Sequence, residues 1–115
     1  MKKLLLMLAF AGFAPILWAQ KTSESIKVWG NCGMCKSRIE KAAKSAGADK
    51  AEWNSDTDML EVTYNAKKTS NVQIQQKIAE VGHDTEKFNA SDEVYEKLPG
   101  CCHYDRKAQA KTKKE

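Results

Sequence analysis

Ser25 to Gly47 reads SIKVWGNCGMCKSRIEKAAKSAG, and the fold follows from this stretch. Ser25 to Trp29 alternates, with Ile26 and Val28 on one face, which predicts a strand. Gly30 to Cys35 (GNCGMC) is a loop whose glycines let the backbone come close to a ligand. Lys36 to Ala46 predicts a helix: Ile39, Ala42, Ala43 and Ala46 recur at i, i+3, i+4 and i+7, and Gly47 stops it. A stripe made mostly of alanine packs close to whatever it covers. Cys32 and Cys35 open this helix, at the positive end of its dipole. That field favours thiolate, the form that binds metals and attacks disulfides.

Downstream, Ala51 and Trp53 alternate with Lys50, Glu52 and Asn54, a second strand. Ser55-Asp56-Thr57-Asp58 is a turn cluster, and Leu60, Val62 and Tyr64 alternate through a third strand antiparallel to the second. Ser70 and Gln73 have capping-box spacing ahead of a second helix that buries Ile74, Ile78 and Val81 and ends at Gly82. Asp84 to Phe88 reads as a short fourth strand. The order β-α-β-β-α-β makes an α+β, ferredoxin-like sandwich: a four-stranded antiparallel sheet with two helices. Trp29, Trp53 and Tyr64 read as core or sheet-face residues.

The N-terminus reads as an address. Lys2 and Lys3 precede an apolar core from Leu4 to Phe13, too short to span a bilayer at roughly 20 residues, and Pro15 breaks it. With Ala19 before Gln20 as cleavage point, residues 1–19 are expected to be a signal peptide and the chain to be periplasmic or secreted, without a stable membrane anchor. Of the formal charge of +4, Lys2 and Lys3 carry two, so the remainder is nearly balanced. The one concentrated basic stretch runs from Arg106 to Lys114 without a large apolar residue, and residues 105–115 are expected to be a disordered, solvated tail. No aromatic residues are interleaved with its lysines, which argues against nucleic-acid binding.

Four cysteines in an exported chain ordinarily suggest two disulfides. Here they form a close pair, Cys32 and Cys35, and an adjacent pair, Cys101 and Cys102. Neighbouring residues rarely bond to each other, so a disulfide framework needs cross-links between the pairs or a labile 32–35 bridge. Residues 91–104 read as a Cys-rich helical extension: Ser91 starts a short helix, Val94 and Leu98 share a face, and Pro99-Gly100 ends it just before Cys101-Cys102-His103. Dense Cys/His tracts commonly mark metal binding.

SIKVW, Cys32 and Cys35, Ile39-Glu40-Lys41-Ala42, Gly47, the hairpin from Trp53 to Tyr64, and Ile78 to Gly82 stand in an order that resembles the heavy-metal-associated domain family. The resemblance covers residues 24–90, and the signal in front is similar in layout to the family's periplasmic mercury-binding members. It implies a non-enzymatic protein that sequesters or transfers a soft metal through Cys32 and Cys35, with copper(I) favoured and mercury, zinc or cadmium as alternatives. A metal transporter or efflux system is the implied partner. His83 falls in the loop that lies near the cysteines in this family, which makes it a candidate third ligand. The family's usual methionine ahead of the first cysteine is replaced by Trp29, and methionine appears instead as Met34. Cys101, Cys102 and His103 lie beyond the usual domain and are candidates for an added ligand set.

Soft thiolates select copper(I), zinc, mercury or cadmium, and two thiolates suit a low-coordination copper(I) or mercury(II). The rival is a thioredoxin-like thiol–disulfide oxidoreductase using the same cysteines, because Trp29 followed by Cys-Gly-x-Cys-Lys resembles such an active site. Thioredoxin-like sites sit against a cis-proline before a later strand. This chain offers only Pro15 and Pro99.

Overall fold

Leu60, Val62 and Tyr64 are buried while Glu61 between them is exposed, so strand β3 (Met59–Asn65) turns one apolar face inward. The computed structural model describes residues 21–106; the expected signal peptide and residues 107–115 lie outside the described residues. β3 is central, flanked by antiparallel β1 (Lys21–Lys27) and β2 (Ala48–Asn54), giving the order β1-β3-β2. Helix α1 (Gly33–Ser45) follows β1, and α2 (Asn71–Glu80) follows β3. Ile39, Ala42 and Ala43 of α1 and Ile74 and Ile78 of α2 join Ile26, Trp53, Leu60 and Val62 in one buried cluster. No helix of the described residues is long and apolar enough to cross a membrane.

β1 begins at Lys21, earlier than the apolar alternation predicts. Its first half is held by polar pairs instead: the Ser23 and Thr63 hydroxyls meet at 3.0 Å, and Ser25 Oγ donates to Glu61 Oε2 at 2.7 Å. α1 also starts early, at Gly33, because the Cys32 carbonyl accepts the Lys36 N–H at 3.1 Å. Cys32 is therefore the residue that caps the helix, and Cys35 lies in its first turn. Glu40 ties this helix to β2 by accepting the Trp53 N–H at 2.9 Å and the Lys36 ammonium at 2.5 Å. The Trp53 indole donates to the Val28 carbonyl at 2.9 Å, so a large ring is buried with its one polar atom satisfied. Ser70 caps α2 by accepting the Gln73 N–H, but the Gln73 side chain meets the Thr69 hydroxyl rather than completing the capping box.

The expected four-stranded sheet has three strands among the described residues. The expected fourth strand, Asp84 to Phe88, is reduced to one bridge, Val28 to Thr85, beside β1. Its backbone turns on itself: the Thr85 N–H donates to the Phe88 carbonyl at 2.8 Å and the Phe88 N–H to Thr85 Oγ1 at 3.1 Å. The Glu86 N–H still donates to the Lys27 carbonyl of β1 at 3.2 Å and the Asp84 carbonyl accepts the Trp29 N–H at 2.9 Å, but donors committed to a local turn cannot extend this into a ladder.

The segment after Ala90 packs onto this frame. Helix α3 (Asp92–Glu96) is capped by Ser91, whose hydroxyl accepts the Val94 N–H, and a single 3-10 turn (Gly100–Cys102) follows Pro99. Leu98, Cys102 and Tyr104 belong to the same buried cluster as the sheet and helices. Gly82 shows how tight that seam is: a Cβ there would stand 2.9 Å from Leu98 Cδ2, and its φ of +114° is one that side chains disfavour. The Tyr104 hydroxyl donates to the Gly82 carbonyl at 2.7 Å and accepts the Asp84 N–H at 2.8 Å. Arg106 corrects the expected start of the solvated tail. It is buried, and its guanidinium pairs with Asp84 at 2.7 Å and Asp92 at 2.9 Å. Charge composition placed it with the lysines, but its fork finds carboxylates and the Tyr95 ring, 4.8 Å away.

Candidate metal centre

Three sulfurs converge at the N-terminus of α1. Cys32 Sγ lies 3.7 Å from Cys35 Sγ and 3.7 Å from Cys102 Sγ, and all three atoms lie within 4.8 Å of one another. Local structure accounts for the first two, because a cap residue and a first-turn residue three positions on face the same side of a helix end. Cys102 arrives from the opposite end of the chain. The 3-10 turn that carries it is held by the Cys102 N–H to the Pro99 carbonyl at 2.8 Å, and the Asn31 amide donates to the Cys101 carbonyl at 3.1 Å. Cys35 and Cys102 are fully buried and Cys32 is half-buried, so the cluster has an apolar floor and one accessible rim.

The fourth cysteine stands on that rim. Cys101 is exposed, with its Sγ 2.9 Å from Cys32 Sγ and 3.5 Å from Met34 Sδ. The Cys101 thiol beside Cys32 lowers the Cys32 pKa to about 6; burial opposes this, and the backbone N–H groups of Cys35 and Met34 reinforce it. The same pairing raises Cys101. Burial, with Cys35 and Cys32 as neighbours, pushes Cys102 well above the ordinary thiol range. Cys32 thus stands at the helix end where the dipole favours a thiolate.

The histidines stay apart from this cluster. His83 is fully buried and stacks on Tyr104 with ring centroids 5.2 Å apart; its Nδ1–H donates to the Trp29 carbonyl at 2.9 Å. Its Nε2 finds no hydrogen-bond partner among the described residues. Among the described residues, the one group of three metal-type donors contains Cys32, Cys35 and Cys102, without His83 or His103. Burial lowers the His83 pKa, against the pull of the Trp29 carbonyl. His103 is exposed and lies against Tyr95 at 5.1 Å. Asn31, Tyr104, Asp84 and Arg106, which seat the Cys102 turn, went unread in the sequence as parts of this region. Their pairings join distant positions and leave no local spacing to read.

No family model matches the sequence, and no curated protein matches it. Solved structures do. The chain is similar to the CopZ metallochaperone at 30% identity and a TM-score of 0.53, over 56% of this chain and 98% of that one. It is similar to the water-soluble region of the P-type ATPase CopA from Bacillus subtilis at 31% identity and a TM-score of 0.52, over 56% of this chain and 44% of that one. A third is the solution structure of a copper form of a CopA variant from the same organism, at 30% identity and a TM-score of 0.50, over 58% of this chain and 91% of that one.

Proposed function

The chain belongs to the heavy-metal-associated domain family, and from that premise we propose that it carries a soft metal ion, copper(I) by preference, on Cys32, Cys35 and Cys102. The ion is cargo: the protein sequesters it or hands it on, and catalyses no reaction. The observation that carries this reading is the convergence of three sulfurs within 4.8 Å of one another. Metal–thiolate bonds of about 2.3 Å put the sulfurs of a trigonal site about 4 Å apart. The two spacings of 3.7 Å from Cys32 therefore need little movement to accept an ion. A closed structural zinc site wants four ligands, whereas three thiolates suit a soft ion of low coordination number.

Delivery follows from where the sulfurs lie. Cys35 and Cys102 are buried and hold the ion from below, while half-buried Cys32 is the ligand a partner thiolate reaches first. Exchange then proceeds by entry of the partner's sulfur before Cys32 leaves. A metal transporter or efflux system with its own thiol pair is the fitting recipient. The apolar stretch from Leu4 to Phe13 behind Lys2 and Lys3 supports action in the periplasm or outside the cell.

Titration of the reduced protein with copper(I) against a chromophoric chelator tests the assignment. Joint replacement of Cys32 and Cys35 by serine is expected to abolish the tightest site. An unchanged tightest site in that variant would show the ligands to be elsewhere.

A further inference from the structure

Two sulfurs are left over once Cys32, Cys35 and Cys102 hold an ion, and both face the rim. Met34 is a long apolar side chain left 51% exposed on the first turn of α1, and its Sδ lies 3.5 Å from Cys101 Sγ. Cys101 is in turn 2.9 Å from Cys32 Sγ. An apolar residue gains nothing from water at this position, whereas a thioether beside a thiol that itself meets a second thiol is a soft-donor set.

We propose that Cys32, Cys101 and Met34 form a second copper(I) site, joined to the first through a bridging Cys32 thiolate, so that one chain carries two ions. This rests on the reading of Cys32, Cys35 and Cys102 as the first site. Three features support it. Cys32 is the sulfur common to both sets, lying 3.7 Å from Cys35 and Cys102 and 2.9 Å from Cys101. The 2.9 Å contact must open by roughly 1 Å to span a metal, and Cys101 is exposed to solvent. Charge also balances. The second ion adds one positive charge, Cys101 adds one thiolate and neutral Met34 adds none, so filling the rim leaves the cluster's net charge unchanged. Each ligating thiol releases its proton to water, and copper stays cuprous throughout.

The thioether fits the occupant. Methionine sulfur is a neutral, soft donor of the kind that suits copper(I). Position gives the rim site a role as well. An ion bound at Cys101 and Met34 is open to solvent and to a partner, yet shares a ligand with the buried ion.

Native mass spectrometry of the reduced protein, loaded with copper(I) and read as ions per monomer, tests this together with chelator competition. The expected result is two ions per monomer in the wild type. Cys101→Ser with Met34→Leu should bind one ion per monomer. Both side chains are exposed, and circular dichroism confirms that the variant folds. Two ions in the double variant, or two ions only in dimers, would overturn the rim site. One ion in the wild type would overturn it too while leaving the first site standing. No tightly bound ion in the wild type would overturn both.

Discussion

The Arg106 guanidinium meets the Asp84 carboxylate at 2.7 Å, in a pair whose side chains are 5% and 1% exposed. Asp84 also accepts the Ala90 N–H at 2.8 Å, and Arg106 reaches the Ala90 carbonyl as well. This knot lies where the chain leaves the family domain and returns to it. It fastens down the segment whose turn places Cys102 beside Cys32 and Cys35.

Removing one member of a buried ion pair leaves the other charge without its partner. Arg106→Leu is therefore expected to destabilise the protein by about 3–5 kcal/mol. Adding Asp84→Asn, which removes that charge, should restore part of the loss. Urea unfolding of the two single variants and the double variant measures the coupling. Additive losses would show that the pair does not act as a unit.

Leu98 fills the space over Gly82, and its removal tests whether the extension is part of the core. Leu98→Ala should cost about 2–5 kcal/mol, the usual range for a buried leucine. A chain ended after Ala90 loses Leu98, Cys102, Tyr104 and Arg106 together, and should unfold at a markedly lower urea midpoint than the wild type. Equal midpoints would show that residues 24–90 are stable by themselves.

Burial holds the folded-state pKa of His83 below the ordinary value of 6.5. Above pH 6.5 the ring is neutral in both folded and unfolded chains and costs nothing. Below it the unfolded chain takes up a proton first, so stability falls with pH until the folded pKa is reached. Urea midpoints between pH 5 and pH 7.5 should fall toward acid. His83→Gln should flatten that slope, whatever its effect at pH 7.5. An unchanged slope would mean that other groups set the acid sensitivity.

Cys102 and His103 are neighbours in sequence with opposite expectations. Cys102 lies in the sulfur cluster and His103 stands outside it against Tyr95. Cys102→Ser should weaken copper(I) binding at the tight site at least tenfold, about 1.4 kcal/mol, and His103→Gln should leave it unchanged. Chelator competition on both variants reads the difference. Equal affinities would remove Cys102 from the ligand set.

Much of the frame was legible because it rests on short-range rules. Period-two alternation marked β2 and β3, and helical spacing through Ile39 and Ala43 marked α1, because each pattern states which side of the element meets the core. The Cys32–Cys35 pair was legible for the same reason, since two positions three apart at a helix start face one way. The fourth strand was misread because Asp84 to Phe88 has strand-like neighbours but gives the Thr85 and Phe88 N–H groups to a local turn and those of Asp84 and Lys87 to the side chains of Tyr104 and Gln75. His83 looked like a ligand by its place in the family's loop. Its ring is instead covered by Tyr104, a residue of the extension whose path no local pattern announces.

The sequence by itself determined the α+β frame, the thiol pair at the mouth of the first helix, and the presence of two more thiols beyond the domain. Only the tertiary structure decided where those distant thiols lie: Cys102 enters the cluster, Cys101 stops at the rim beside Met34, and the histidines are not in the cluster. The physical reason is range. Strand and helix patterns come from neighbours a few residues apart, whereas the place of Cys102 depends on Arg106 finding Asp84, Tyr104 finding Gly82 and Leu98 packing over that glycine. Such contacts are chosen by the whole fold at once.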